Sequence, residues 1–129
     1  QRKAETIMTP HAGEFKRIFN TTNNKTIDCL KAAKESNSIM VYKGNDTFIG
    51  SPNGKGYINM NSSPFLATAG SGDVLAGIIG GLLSQGIDAI SSARIGCYVH
   101  SQCALNLGPG LIAGDLIKEI SHVMKDIYN

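Results

Sequence analysis

The chain has no tryptophan, and only four tyrosines and four phenylalanines among its 129 residues. Cysteine is also sparse. Cys29, Cys97 and Cys103 make an odd number with no Cys-x-x-Cys pair. That argues against a disulfide framework or a zinc ribbon and fits reduced thiols in a cytoplasm. Cys97, His100 and Cys103 fall at steps of three on a predicted helix, a conceivable metal set. No fourth ligand is near, so three ordinary helix residues are the favoured explanation and no metal ligand is assigned. A long hydrophobic run is missing too. The longest apolar-and-glycine stretch, Val74 to Leu83, is far short of the ~20 residues a membrane span needs. No signal peptide is visible, and Gln1 is not an initiator methionine. Net charge is only +2, too small to argue for nucleic acid as a partner. The early basic residues Arg2, Lys3, Lys16, Arg17 and Lys25 are scattered, and a solvated surface accounts for them.

What is present describes a globular α/β chain. Hydrophobic content is 42% and charged content 17%, enough for one domain over residues 1–129 with a real core. No internal repeat, low-complexity segment or linker interrupts it.

Thr6 to Thr9 is a β-type run ending at Pro10, and Phe15, Ile18 and Phe19 follow at helical spacing. The loop between them carries His11 and Glu14. Loops after strand C-termini are where α/β folds place their sites, although a capping histidine and an early-helix acid explain the same residues. Lys25 to Glu35 reads as a helix. Ile39 to Tyr42 is a continuous apolar run, as in a buried parallel strand, and ends in Lys43-Gly-Asn-Asp-Thr47. Thr47 to Ile49 and Tyr57 to Met60 read as a hairpin around a turn-rich segment. Asp88 is placed to cap a helix running to about Leu107. Ala113 to Ile127 is amphipathic, with Leu116, Ile117, Ile120, Val123, Met124 and Ile127 on a stripe expected to face the core.

The chain is organised around Thr68-Ala-Gly-Ser-Gly-Asp-Val-Leu-Ala-Gly-Ile-Ile79. Gly70, Ser71 and Gly72 form a tight loop opening a helix expected from Asp73 to about Gln85. Such a loop turns several N–H groups into one concavity at a helix N-terminus, which attracts an anion. Asp73 repels that anion unless it has a chemical task, or it is simply a first-turn acid. The helix is apolar on nearly every face, so burial on all sides is expected. Gly77, Gly80 and Gly81 suggest another backbone packed closely against it.

Three segments in this order carry a resemblance: Thr9-Pro-His-Ala-Gly-Glu-Phe15, Val41-Tyr-Lys-Gly-Asn-Asp-Thr47, and Leu66 to Ile79, with Gly110-Leu-Ile-Ala-Gly-Asp-Leu116 near the end. Together they resemble the C-terminal part of an NAD(P)H-hydrate dehydratase, over nearly the whole stretch from Thr6 to Leu116. The resemblance implies the C-terminal portion of a ribokinase-like three-layer α/β/α fold, incomplete at its N-terminal side. It also implies an enzyme that removes water from hydrated NADH or NADPH. ADP or ATP is the phosphoryl donor with Mg2+, the ring hydroxyl is phosphorylated, and the phosphate then leaves.

By the same resemblance, Asp73 contacts the substrate and serves as base for its hydroxyl, the task that would justify an acid beside an anion. Ala69, Gly70, Ser71 and Gly72 correspond to the anion hole, and Gly72 to a nucleotide contact as well. Lys43, Gly44, Asn45, Asp46 and Thr47 correspond to the adenine-nucleotide loop. His11, Gly13 and Glu14 correspond to the loop on the hydrated dinucleotide. Ala12 stands where the family usually has Pro, and Ser62-Ser-Pro-Phe65 where it usually has Gly-Asn-Pro-Gly. The unmatched N-terminal half implies that it is a separate chain, that it was lost, or that the sequence is a fragment, and the sheet edge and apolar surface that half a fold would expose favour a homo-oligomer or a partner chain. A non-catalytic remnant that at most binds nucleotide, and a related ribokinase-like small-molecule kinase, are the alternatives.

Overall fold

The computed structural model describes residues 4–129. The surface expectation for Arg2 and Lys3 therefore lies outside the described residues. In chain order the elements are β1 (Ile7–Met8), α1 (Ala12–Ile18), α2 (Lys25–Ser36), β2 (Ile39–Tyr42), β3 (Phe48–Gly50), β4 (Gly56–Ile58), α3 (Ser71–Ser84), α4 (Ala89–Leu107) and α5 (Ala113–Tyr128). The four strands form one sheet in the order β1-β2-β3-β4. β1 runs parallel to β2, with Ile7 opposite Ile39. β2–β3 and β3–β4 are antiparallel, with Val41 opposite Ile49 and Ile49 opposite Tyr57.

β2 explains the layering. All four of its residues are buried. Alternation along the strand sends Met40 and Tyr42 into a core with Phe15 of α1 and Cys29, Ala32 and Ala33 of α2. Ile39 and Val41 meet Leu75 and Ile79 of α3 and Ala89, Ala93 and Cys97 of α4 on the other face. The sheet is thus covered on both sides, giving the expected three layers, and that is why the strand is apolar at every position. Phe15 is fully buried and stacks on Tyr42, with ring centroids 4.1 Å apart. Burial of a side chain of this size contributes roughly 1.5–3 kcal/mol. α5 packs on α4 through Leu116 and Val123 against Val99, Cys103 and Ala104.

Helix ends follow local chemistry. Asn24 caps α2 through Ile27 N at 3.1 Å, and Asp88 caps α4 through Ser91 N at 3.1 Å. Gly70 precedes α3 at φ +83°, the left-handed region that favours glycine.

Four expectations need correction. First, α3 begins at Ser71, before Asp73, and is buried on one face rather than all round: Ser71, Leu75, Ile79 and Leu82 are buried, while Ala76, Gly77, Gly80 and Gly81 are exposed. The close approach expected at its glycines is absent among the described residues, since a methyl carbon built at any of the three meets nothing within 4 Å. The tight packing is instead at Gly96 of α4, where such a carbon would lie 2.6 Å from Ile79. Second, the α5 stripe is only partly core. Leu116 and Val123 are buried, but Ile117 is 61% and Ile127 45% exposed. Third, Lys25 is not merely a solvated surface residue. Its ammonium lies 4.7 Å over the Tyr42 ring and donates to the Asp46 carbonyl oxygen. Fourth, β4 ends at Ile58 rather than Met60, because Asn59 and Asn61 turn towards α4. Asn59 Nδ2 donates to Ser101 Oγ at 2.8 Å, and Asn61 Nδ2 to the Tyr98 carbonyl oxygen at 3.3 Å.

Candidate functional site

β1 and β2 are parallel, so their C-terminal ends open on the same side of the sheet. His11 follows the first and Lys43 the second. The Lys43 amide donates to the Pro10 carbonyl oxygen at 2.9 Å and ties the two loops together. The start of α3 lies opposite. Between them is a cleft of about 670 Å³ lined by His11, Gly13, Lys43, Gly44, Asn45 and Thr47 on one side. Ala69, Ser71 and Gly72 line the other side, with His100 and Ser101 of α4. A larger hollow of about 930 Å³ lies between the hairpin and the ends of α4 and α5, around Tyr57, Tyr98 and Met124. Asn59, Asn61, Ser91 and Arg94 line it, but it lacks the glycine loop and the lysine at a helix start that make the smaller cleft the better candidate.

The cleft's centre is electrostatic. α3 has no side-chain cap at Gly70; Ser71 N donates to the Thr68 carbonyl oxygen at 3.2 Å, while the Gly72 and Asp73 amides precede the first intrahelical bond, from Val74 N to the Gly70 carbonyl oxygen, and carry the positive end of the helix dipole. The Lys43 ammonium reaches the same point: a methyl carbon built at Gly72 would sit 2.7 Å from Nζ. A cation beside a positive helix end is unfavourable unless an anion joins them. Uncapped amides and a lysine therefore make an anion site.

His100 stands behind this site. It is 5% exposed, and its Nε2 donates to the Ser71 carbonyl oxygen at 2.9 Å, with Ser71 Oγ at 3.2 Å. Burial pushes its pKa down to about 4, and the Lys43 charge adds to that effect. The imidazole is therefore neutral at physiological pH. Burial likewise raises the Cys97 thiol, to about 12. Among the described residues no three His, Cys, Asp or Glu side chains converge on one point, and His100 is turned to Ser71 rather than to Cys97 or Cys103.

His11 has two aspects. Its Nδ1 accepts from Gly13 N at 3.0 Å and Glu14 N at 3.2 Å, while Glu14 Oε2 accepts from His11 N at 3.0 Å. The pair is a capping box with histidine in the role usually taken by serine or threonine. The other ring nitrogen, Nε2, lies 3.3 Å from Glu14 Oε1, so Glu14 braces the ring at the cleft's edge and does not itself line the cleft.

Asp46 and Gly70 belong to the cleft's framework rather than its lining. Asp46 presents its carbonyl to Lys25, and Gly70 makes the turn into α3. Asp73 stands apart. Successive helix residues are rotated by about 100°. With Ser71 turned inward and Gly72 to the cleft, Asp73 is exposed in a separate groove between α3 and α5, with Ile117 and Ile120. Sequence reasoning missed Lys25, Asn59 and Ser101 and set His100 aside. The available signal for His100 was a polar residue on the otherwise buried Ala93–Cys97–Ala104 face of α4.

Comparison with known proteins gives a consistent result. The sequence profile of the family described as NAD(P)H-hydrate dehydratase matches residues 1–125. A bifunctional NAD(P)H-hydrate repair enzyme Nnr of Mycobacterium leprae is 38% identical over 128 residues, covering 95% of this chain and 27% of that protein. An ADP-dependent (S)-NAD(P)H-hydrate dehydratase of Neisseria meningitidis is 36% identical over 130 residues, covering 95% of this chain and 44% of that protein. The solved ADP/ATP-dependent NAD(P)H-hydrate dehydratase of Bacillus subtilis, co-crystallised with ATP/Mg2+, superposes with a TM-score of 0.90 at 29% identity. The match covers 98% of this chain and 49% of that one. The chain thus spans half or less of the length of these relatives, and its layers are those of part of a ribokinase-like α/β/α domain.

Proposed function

The chain belongs to the NAD(P)H-hydrate dehydratase family, and on that premise we propose that it carries the nucleotide-binding and phosphoryl-transfer part of a nucleotide-dependent dehydration of hydrated NADH and NADPH. The observation that carries this reading is the Lys43 ammonium resting on Gly72 at the uncapped start of α3. A nucleotide with its phosphates there would neutralise both positive groups. Its base and ribose would then lie along the Lys43–Thr47 loop, and ADP and ATP both suit this arrangement.

Asp73 takes the proton from the ring hydroxyl as its oxygen attacks the terminal phosphorus of the nucleotide. Charge developing on the phosphoryl oxygens is met by the amides of Ala69 to Gly72 and by Lys43. The phosphate then leaves the ring with the C–O electron pair as the adjacent ring carbon loses a proton to solvent, which restores the ring double bond and releases inorganic phosphate. Asp73 would reach the transferring phosphoryl group from the α3–α5 side of the helix start, while the hydrated dinucleotide enters along the cleft wall that His11 and Gly13 line. His11, braced by Glu14, together with Gly13 is assigned to the dinucleotide. Mg2+ fits as an ion carried on the nucleotide phosphates, which the cleft's amides, hydroxyls and ammonium would flank, and it supplies neutralising charge there.

The site needs a complement. The outer edge of β1 has no strand partner among the described residues, and the small-residue face of α3 is exposed. These are the surfaces on which the other half of such a domain would pack, supplied by another polypeptide segment or by a second copy. Three free, buried cysteines suit a reducing compartment such as the cytoplasm.

The test is turnover of hydrated NADH with ADP or ATP, with the complementary N-terminal half of a family domain supplied. Turnover that disappears in Asp73→Asn supports the assignment. Turnover unaffected by that substitution refutes the role of Asp73, and none with either nucleotide refutes the activity.

A further inference from the structure

The active-site loop is held by α4, a helix that the sequence assigns no functional part. His100 of α4 donates from Nε2 to the Ser71 carbonyl oxygen at 2.9 Å, and Ser71 Oγ lies 3.2 Å from the same nitrogen. Ser71 opens α3 and is itself buried. Its carbonyl belongs to the peptide unit that carries the Gly72 amide. Fixing that oxygen fixes the plane of the peptide and so the direction of the Gly72 N–H. Gly70, on the other side of Ser71, has a left-handed backbone and no side chain, and α3 has no side-chain cap. The turn's own backbone bonds, Ser71 N to the Thr68 carbonyl oxygen and Val74 N to the Gly70 carbonyl oxygen, are both 3.2 Å, and glycine on either side of Ser71 leaves the intervening peptide plane for a contact from outside to fix. α3 and α4 otherwise meet through apolar contacts such as Ile79 against Gly96, which restrain the helix axis more than one peptide plane.

We propose that His100 is a positioning residue: its buried imidazole locks the Ser71–Gly72 peptide so that the first-turn amides of α3 point at the bound phosphate. This rests on the reading of the cleft as a nucleotide site. The carbonyl can only accept, so Nε2 carries the proton. Glutamine, whose side-chain amide reaches as far as Nε2, reproduces the donor. Asparagine is a methylene too short, though equally polar.

The experiment compares wild type, His100→Gln and His100→Asn by calorimetric titration with ADP and by amide hydrogen exchange across the full chain. The expected result is ADP affinity within about threefold of wild type for the glutamine variant and at least about tenfold weaker for the asparagine variant. Exchange should quicken in the asparagine variant at Gly72 to Val74 beyond any general change in α4 and α5. Equal ADP affinity in the two variants, or exchange that rises uniformly over the molecule, overturns the proposal. If wild type binds no ADP, the nucleotide reading fails. Exchange then decides the positioning role alone: selective loosening at Gly72 to Val74 supports it, and none overturns it.

Discussion

Lys43 Nζ lies so close over Gly72 that a methyl carbon on that glycine would come within 2.7 Å of it. The obstacle is the far end of a flexible side chain, so Gly72→Ala is expected to fold by displacing the ammonium. Alanine is favoured over glycine in a helix by about 1 kcal/mol, so stability should hold or rise while affinity for ADP falls by about tenfold. Thermal unfolding and calorimetry on the same variant check the two signs. A fall in both would indicate a packing defect instead.

Lys43 also acts on His100 through its charge. Burial is the larger cause of the depressed imidazole pKa and Lys43 the smaller unfavourable charge, so Lys43→Met should raise His100 only partway from about 4 towards its ordinary 6.5. An NMR titration of the imidazole reads this shift. An unchanged midpoint would show that the two groups do not interact.

Folding favours neutral His100, so as pH falls the unfolded chain takes up the proton first. The contribution of His100 to stability is full above about pH 6.5 and is lost as pH drops towards about 4. The shift corresponds to roughly 3 kcal/mol at most. Urea unfolding between these limits should therefore show a steeper pH dependence for wild type than for His100→Gln. Lys43 is the charged group that acts on this imidazole.

Lys25 supports the other wall of the cleft. Its ammonium donates to the Asp46 carbonyl oxygen and crowds Gly44, where a methyl carbon would lie 2.6 Å from Nζ. Partial burial lowers its pKa. Lys25→Met keeps the stem against Tyr42 but removes the bond. Amide exchange should rise at Asn45 to Thr47, and ADP affinity should fall several-fold, with little change in α2. Unaltered exchange in that loop would show that Lys25 is only a surface contact.

The strands and helices were largely legible because β2 is apolar at every position and α5 follows the helical period, while the three layers were implied by the family resemblance. The glycine loop was legible because Gly70-Ser-Gly72 before an apolar run has few structural uses. Other features depend on contacts between distant segments. Lys25 meets the 43–47 loop from 21 positions away, and His100 meets Ser71 from 29. No local pattern encodes either contact. The all-round burial expected for α3 failed for a different reason. An apolar sequence states what a helix is built to pack against, and the partner for Gly77, Gly80 and Gly81 is not among the described residues. Asp73 was correctly placed in the first turn of α3, but its direction away from the cleft follows from where the helix begins, two residues earlier than expected.

The central claim is that Lys43 and the start of α3 hold a nucleotide's phosphates. Calorimetric titration of ADP and ATP into wild type and Lys43→Met tests it most directly. The account predicts saturable binding of both nucleotides at millimolar concentration or below, weakened about tenfold or more by the substitution. Absence of binding in wild type at millimolar nucleotide, or equal affinity in the two proteins, would contradict it.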